Sequence, residues 1–125
     1  MTFGPHTITH PVLARTTDEQ SRRELAGSWE RLKEEARQPV PVFCYPNGRF
    51  EDFGDREVET LKEIGILGAV VGAPGGGPDA TSFQQSDAER FRVRRYVYPH
   101  ALPQLVQFVS GFDRLKRILR NDRPT

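Results

Sequence analysis

The sequence predicts an α/β domain in which a parallel sheet is covered by helices, and two of its features carry that expectation. Apolar runs of strand type, "VPVFCYP" and "ILGAVVG", alternate with segments of helical period, and the joints between them are short. In addition, eight phenylalanines, three tyrosines and one tryptophan within 125 residues supply the apolar material for one modest core, too much for a disordered segment.

The elements follow in order. Residues 2–9, "TFGPHTIT", read as a short strand or strand end, broken by Gly4 and Pro5 and stopped by Pro11. Next, "TTDEQSRRELAGSWERLKEEARQ" switches to helical period, with Leu25, Trp29, Leu32 and Ala36 on one stripe. Thr16 with Glu19, or Thr17 with Gln20, offers a capping box, and Asp18 and Glu19 suit the positive end of the helix dipole. Pro39 and Pro41 end this helix, and "VPVFCYP" forms the next strand.

The turn-rich "NGRFEDFGD" follows at the position where α/β units usually carry function. Asp55 can cap a second helix, "REVETLKEIG", with Val58, Leu61 and Ile64 as its apolar stripe and Gly65 as its stop. "ILGAVVG" is another buried strand. Residues 73–88, rich in glycine and proline and without periodicity, read as a flexible loop. "FRVRRYVYP" alternates as a strand with Phe91 and Val93 inward. Residues 101–121 form a basic amphipathic helical region, kinked or split near Ser110 and Gly111.

Net charge is +1, but it is unevenly spread: residues 1–89 carry nine Lys/Arg against fifteen Asp/Glu, and residues 90–125 nine against two. The positive end can meet an acidic partner. A single cysteine, Cys44, excludes an intrachain disulfide. No apolar run reaches the length of a membrane span and no secretory signal is visible, so a cytoplasmic location is expected if residue 1 is the natural start.

Four groups of residues could carry chemistry. His6 and His10, four apart on a turn or strand end, can point two imidazoles at one transition metal, or can be ordinary histidines bonded near a strand end. They do not form an HExxH motif, and the chain has no cysteine pair to add ligands. "CYPNGR", residues 44–49, can present backbone N–H groups to an oxyanion or be a common Asn-Gly turn. Cys44 reads as a small buried hydrophobe more readily than as a nucleophile. Three adjacent glycines at 75–77 lack the Lys-Ser/Thr of a phosphate loop. Arg90, Arg92, Arg94 and Arg95 suit a charged strand edge better than nucleic-acid binding, because Phe91 and Val93 between them read as buried.

Taken together, "GPHTITHPVLAR", "GSWERLKEE", "VPVFCYPNGRFEDF", "LKEIGILGAVVG" and "FRVRRYVY" resemble, in order and spacing, the polysaccharide deacetylase family, the NodB-homology carbohydrate esterases. The resemblance spans most of residues 3–98. It implies a partial deformed (β/α) barrel of mostly parallel strands, forming a single domain over residues 1–125. The implied activity is metal-dependent removal of N- or O-acetyl groups from a polysaccharide or oligosaccharide, with a divalent metal, zinc, as cofactor.

By the same resemblance, His6 and His10 match the metal-binding histidines of the family's H-(S/T)-x-x-H motif, with Thr7 in its hydroxyl position. Pro46 and Asn47 match the motif whose backbone amide helps form the oxyanion hole. Arg95 matches an arginine that orients the catalytic carboxylate in some branches, and Cys44, Tyr45 and Pro46 would contact substrate. The family's TFDDG-like strand, source of an aspartate base and an aspartate ligand, would lie before His6, and a late Leu-x-His is absent. The expectation is therefore a fragment whose isolated activity is incomplete, with a second copy or another chain completing the fold. The alternative is a noncatalytic glycan-binding or assembly module built on the same fold, without nucleic acid or a transmembrane segment.

Overall fold

The computed structural model describes residues 2–72, 86–95 and 100–110, the side chains of 107–109 excepted. Its elements are a 3-10 turn Leu13–Arg15, helix α1 Asp18–Glu35, strand β1 Val42–Cys44, helix α2 Asp55–Glu63, strand β2 Gly68–Val71, helix α3 Asp87–Arg90, strand β3 Val93–Arg94 and helix α4 Leu102–Val109. The chain divides into two compact units, Met1–Arg95 and Tyr96–Thr125.

Helix α1 begins where the second of the two candidate capping boxes lies. Thr17 is the N-cap; its hydroxyl accepts the Gln20 N–H at 3.2 Å while the Gln20 side chain accepts the Thr17 N–H at 3.1 Å. The helix buries Ser21, Leu25 and Trp29 and packs Leu32 against the same core, as the helical period predicts. It ends with Ala36 as the C-cap, three residues before Pro39.

The sheet is parallel throughout, in the order β1-β2-β3. Phe43 pairs with Ala69, Cys44 with Val70, and Val70 with Val93. Alternation along each strand then separates two faces. Phe43, Ala69 and Val71 are buried with Leu25, Trp29, Val58 and Leu61 of the helices, whereas Cys44 and Val70 are half-buried and Val42 is exposed on the other face. Each fully buried Leu, Val or Phe contributes about 1.5–3 kcal/mol, so this shared core carries the first unit. The fold is α/β as expected, and its three described strands form an open sheet, not a closed barrel.

A buried ion-pair network joins α1 to α2. Glu57, only 2% exposed, accepts the Ser21 hydroxyl at 2.7 Å, the Gly54 N–H at 2.8 Å and the Arg56 Nε at 2.8 Å. Arg56 also donates to the carbonyls of Leu13 and Thr16 and to Asp18, tying the entrance of α1 to the start of α2.

Four local expectations are corrected. Residues 2–9 contribute a single parallel bridge, Phe3 to Pro39, not a strand, because Gly4 and Pro5 interrupt the ladder. The cap of α2 is Gly54; Asp55 is the first helical residue. Asp87, at the end of the stretch expected to be loop, starts α3, which Ser86 caps by accepting the Glu89 N–H. Among the described residues of the arginine-rich segment, strand structure covers Val93–Arg94, and Phe91, expected to face inward from a strand, is buried at the C-cap of α3; residues 96–99 of the expected strand lie outside the described residues. Residues 73–85 and 111–121, which hold most of the expected loop and the later part of the expected terminal helix, lie outside the described residues.

In the second unit, α4 has Ala101 as its N-cap and Pro103 in its first turn, where a missing N–H is harmless. No helix among the described residues is long and apolar enough to cross a membrane.

Candidate functional site

The segment before α1 lies alongside β1. Val40 N–H donates to the Phe3 carbonyl at 2.8 Å and Cys44 N–H to the Pro5 carbonyl at 3.0 Å. This approach needs Gly4: a Cβ there would sit 2.4 Å from the Val42 carbonyl oxygen. His6 is thereby delivered to the end of β1, and its Nδ1 lies 2.6 Å from the Cys44 carbonyl oxygen. A carbonyl only accepts, so Nδ1 carries a proton, and in the neutral tautomer the lone pair lies on Nε2.

The next four residues turn sharply. Thr7 and His10 both have left-handed backbone, φ 67° and 59°, a conformation costing about 1–3 kcal/mol each for residues other than glycine. Two sets of bonds hold it. Within the turn, the Thr7 hydroxyl donates to the His6 carbonyl at 2.5 Å and accepts the His10 N–H at 3.1 Å. From outside, the Glu24 carboxylate of α1 accepts the Ile8 N–H at 2.7 Å, the Thr9 N–H at 2.8 Å and the Thr9 hydroxyl at 2.7 Å. Burial raises the Glu24 pKa, but these bonds, together with the charge of Arg23, outweigh it and hold the carboxyl below its ordinary value. As a result the His6 and His10 rings meet edge to face with centroids 4.9 Å apart. Beside them a groove of about 330 Å³ runs between Pro5, His6 and Ile8 and the α1 residues Ser28, Arg31 and Leu32.

The loop after β1 forms the second part of the site. Asn47 and Gly48 take left-handed backbone, φ 59° and 78°. Gly48 is packed so closely on Gly72 that a Cβ would lie 2.4 Å from the Gly72 nitrogen. Asn47 is exposed, and no described hydrogen bond uses its N–H. Pro46 and Tyr45 are buried; the Tyr45 ring stacks on Phe53 at 3.6 Å, so both residues form the floor beneath the loop rather than an accessible edge. The Tyr45 hydroxyl is buried without a partner among the described residues, and burial pushes its pKa up.

Arg95 closes the third side. Its backbone N–H donates to the Val71 carbonyl at 2.9 Å, and its guanidinium donates to the Cys44 Sγ at 2.6 Å. Burial raises the Cys44 thiol pKa, and Arg95 partly offsets this. Cys44 therefore touches His6 through its carbonyl and Arg95 through its sulfur, bringing these two expected site residues to one strand end.

The two imidazoles fit as two ligands of a divalent ion, since imidazole nitrogen is a preferred donor for zinc. Among the described residues, no group of three or more His, Cys, Asp or Glu side chains is placed to hold a metal. Sequence reasoning missed Glu24. Its mark is indirect: Gly27, one turn later in an otherwise strong helix former, faces Ile8 so closely that a Cβ would lie 2.7 Å from its Cδ1. A mid-helix glycine of this kind signals a close approach by another segment.

The described residues form a parallel α/β sheet with the His6–His10 turn beside the carboxyl end of β1, the edge at which sheets of this class usually carry their sites. Comparison with protein families matches polysaccharide deacetylase over residues 1–68, more than half of the chain. The chain belongs to the polysaccharide deacetylase family. The match includes His6, His10, Glu24 and the Cys44–Asn47 segment and stops short of Arg95. No curated protein and no solved structure matches the chain.

Proposed function

We propose that this chain carries the two-histidine half of a metal-dependent deacetylase centre acting on N- or O-acetyl groups of a polysaccharide, with zinc as the ion. The observation that supports this most is the hydrogen bond from His6 Nδ1 to the Cys44 carbonyl, because it leaves Nε2 as the ligand nitrogen beside the His10 ring. Bound at these imidazoles, a divalent ion supplies Lewis acidity toward water and an acetyl carbonyl.

The remaining roles fall to the chain's own groups. The Asn47 N–H, which no hydrogen bond among the described residues uses, suits an oxyanion donor, since the left-handed turn at Asn47 and Gly48 fixes its direction before substrate arrives. The Arg95 guanidinium has donors beyond the one used on Cys44 and can orient a carboxylate. A general base and a general acid remain to be assigned: of the carboxylates beside the histidines, Glu24 is engaged by three donors, and Glu35, which lines the same groove, is paired with Arg31. On this reading the carboxylate pair comes from outside the described residues, from another segment or a second copy. The glycan would lie along the groove beside His6 and Ile8.

The absence of a third metal-binding side chain among the described residues favours a second reading, a noncatalytic glycan-binding module. Zinc binding and acetate release from acetylated chitin oligosaccharides and acetylated xylan, compared between the chain and its His6→Ala/His10→Ala variant, test the first reading. Histidine-dependent zinc binding with acetate release supports it. Glycan binding with neither property supports the module.

A further inference from the structure

We propose that Glu24 is a positioning residue for the His6/His10 pair, holding both imidazoles at one point by clamping the turn between them; this rests on the reading of the pair as metal ligands. Three observations combine. Glu24 lies on a different element, α1, and takes all the polar hydrogens that Ile8 and Thr9 offer: two N–H groups on Oε2 and the Thr9 hydroxyl on Oε1. The bonded residues are the middle of the turn, directly between two left-handed positions that are not glycine. The turn's internal bonds, both through the Thr7 hydroxyl, fix His6 relative to His10 N–H but leave the Ile8–Thr9 peptides unsupported.

Without the carboxylate, two adjacent N–H groups lose their acceptor, and the turn is free to relax toward ordinary right-handed or extended backbone. A rotation at Thr7 or His10 swings one imidazole away from the other. The clamp also has the right rigidity: α1 is anchored in the core by Leu25 and Trp29, next to and one turn beyond Glu24, and Gly27 lets the helix close on Ile8. Glu24 thus acts on the metal through the backbone of the ligand turn, as outer-shell groups do when they orient ligands. It is not itself a ligand in this role: among the described residues no third His, Cys, Asp or Glu is placed with the two histidines to hold a metal.

Glu24→Ala and Glu24→Gln in the full chain test the inference, with Arg22→Ala, which removes only the exposed Arg22–Glu63 pair of the same helix, as control. Glutamine keeps the shape and can accept two N–H bonds on its carbonyl. NMR of the metal-free protein reads the Ile8 and Thr9 amides and both imidazoles, and calorimetric titration with zinc chloride reads affinity. The expected result is that Glu24→Ala shifts these amides and imidazoles and weakens zinc binding about 10–100-fold, that Glu24→Gln recovers part of both, and that Arg22→Ala changes neither. Unchanged imidazole signals or undiminished zinc affinity in Glu24→Ala would overturn it. If Glu24→Ala fails to fold, Glu24→Gln and Thr9→Val, each removing part of the clamp, carry the same comparison. If the wild-type chain binds no zinc at the histidines, the ligand reading fails, and the metal-free spectra alone decide whether Glu24 holds the turn.

Discussion

His6 Nδ1 and the Cys44 carbonyl oxygen lie 2.6 Å apart, a bond that spans 38 residues of sequence and joins the ligand turn to the end of β1. It decides the tautomer of His6 and hence which nitrogen faces outward. His6→Ala removes this bond and is expected to cost about 1 kcal/mol of stability, read by urea denaturation. His10→Asn, at an exposed position whose left-handed backbone asparagine tolerates, is expected to stay within about 0.5 kcal/mol of wild type. Both variants are expected to lose zinc binding, which separates the ligand role from the structural one.

The Glu57 network sets an acid limit on stability. Burial raises its carboxyl pKa, but the bonds from Ser21, Gly54 and Arg56 outweigh burial and the net shift is downward from 4.5. A folded-state value below the unfolded one means the contribution is fully present above the unfolded value and is lost as pH falls through the folded one. Unfolding free energy is therefore expected to decline as pH drops below about 4.5, with a shallower decline in Glu57→Gln. Glu57→Ala at neutral pH is expected to cost about 2–3 kcal/mol, because Arg56 is left half-buried without its carboxylate.

Two glycines separate steric from conformational need. At Gly4 the obstacle is the Val42 carbonyl, so Gly4→Ala is expected to push the His6 segment off β1, costing about 1–3 kcal/mol and weakening zinc binding. Gly65 has φ 88° and open space around its Cβ position, so Gly65→Ala is expected to cost only the backbone penalty of about 1–2 kcal/mol, with no effect on zinc. Chemical denaturation and zinc titration of both variants check the contrast.

Arg95 controls the thiol of Cys44. Burial raises the thiol pKa and Arg95 opposes it, so Arg95→Ala is expected to raise it further. The pH profile of iodoacetamide alkylation reads this directly: its midpoint is expected to move to higher pH in the variant, and an unmoved midpoint would mean that the guanidinium does not act on the sulfur.

How much of this was legible in the sequence depends on the range of the interaction that decides each feature. Helix α1 and its cap were legible, because Thr17, Gln20 and the Leu25–Trp29–Leu32 stripe act within a few turns. The strands β1 and β2 and their parallel pairing followed from apolar runs flanking a helix. The expected strand at residues 2–9 failed because Gly4 serves a close approach and Pro5 breaks the ladder, so bridging is reduced to Phe3. Short α3 was missed because it depends on Ser86 and Glu89 within a stretch dominated by glycine and proline. At the site, the His6 and His10 spacing was visible, but their convergence depends on left-handed residues and on Glu24 fourteen residues beyond His10, a contact that no local pattern encodes.

The central claim is that the clamped turn presents His6 Nε2 and the His10 ring to a single divalent ion. Long-range ¹H–¹⁵N NMR of both imidazoles during zinc titration tests it most directly. The expected result is that one equivalent of zinc shifts His6 Nε2 and one nitrogen of His10 together, with the His6 Nδ1 proton retained. Independent shifts, saturation of one imidazole without the other, or displacement of the Nδ1 proton would contradict it.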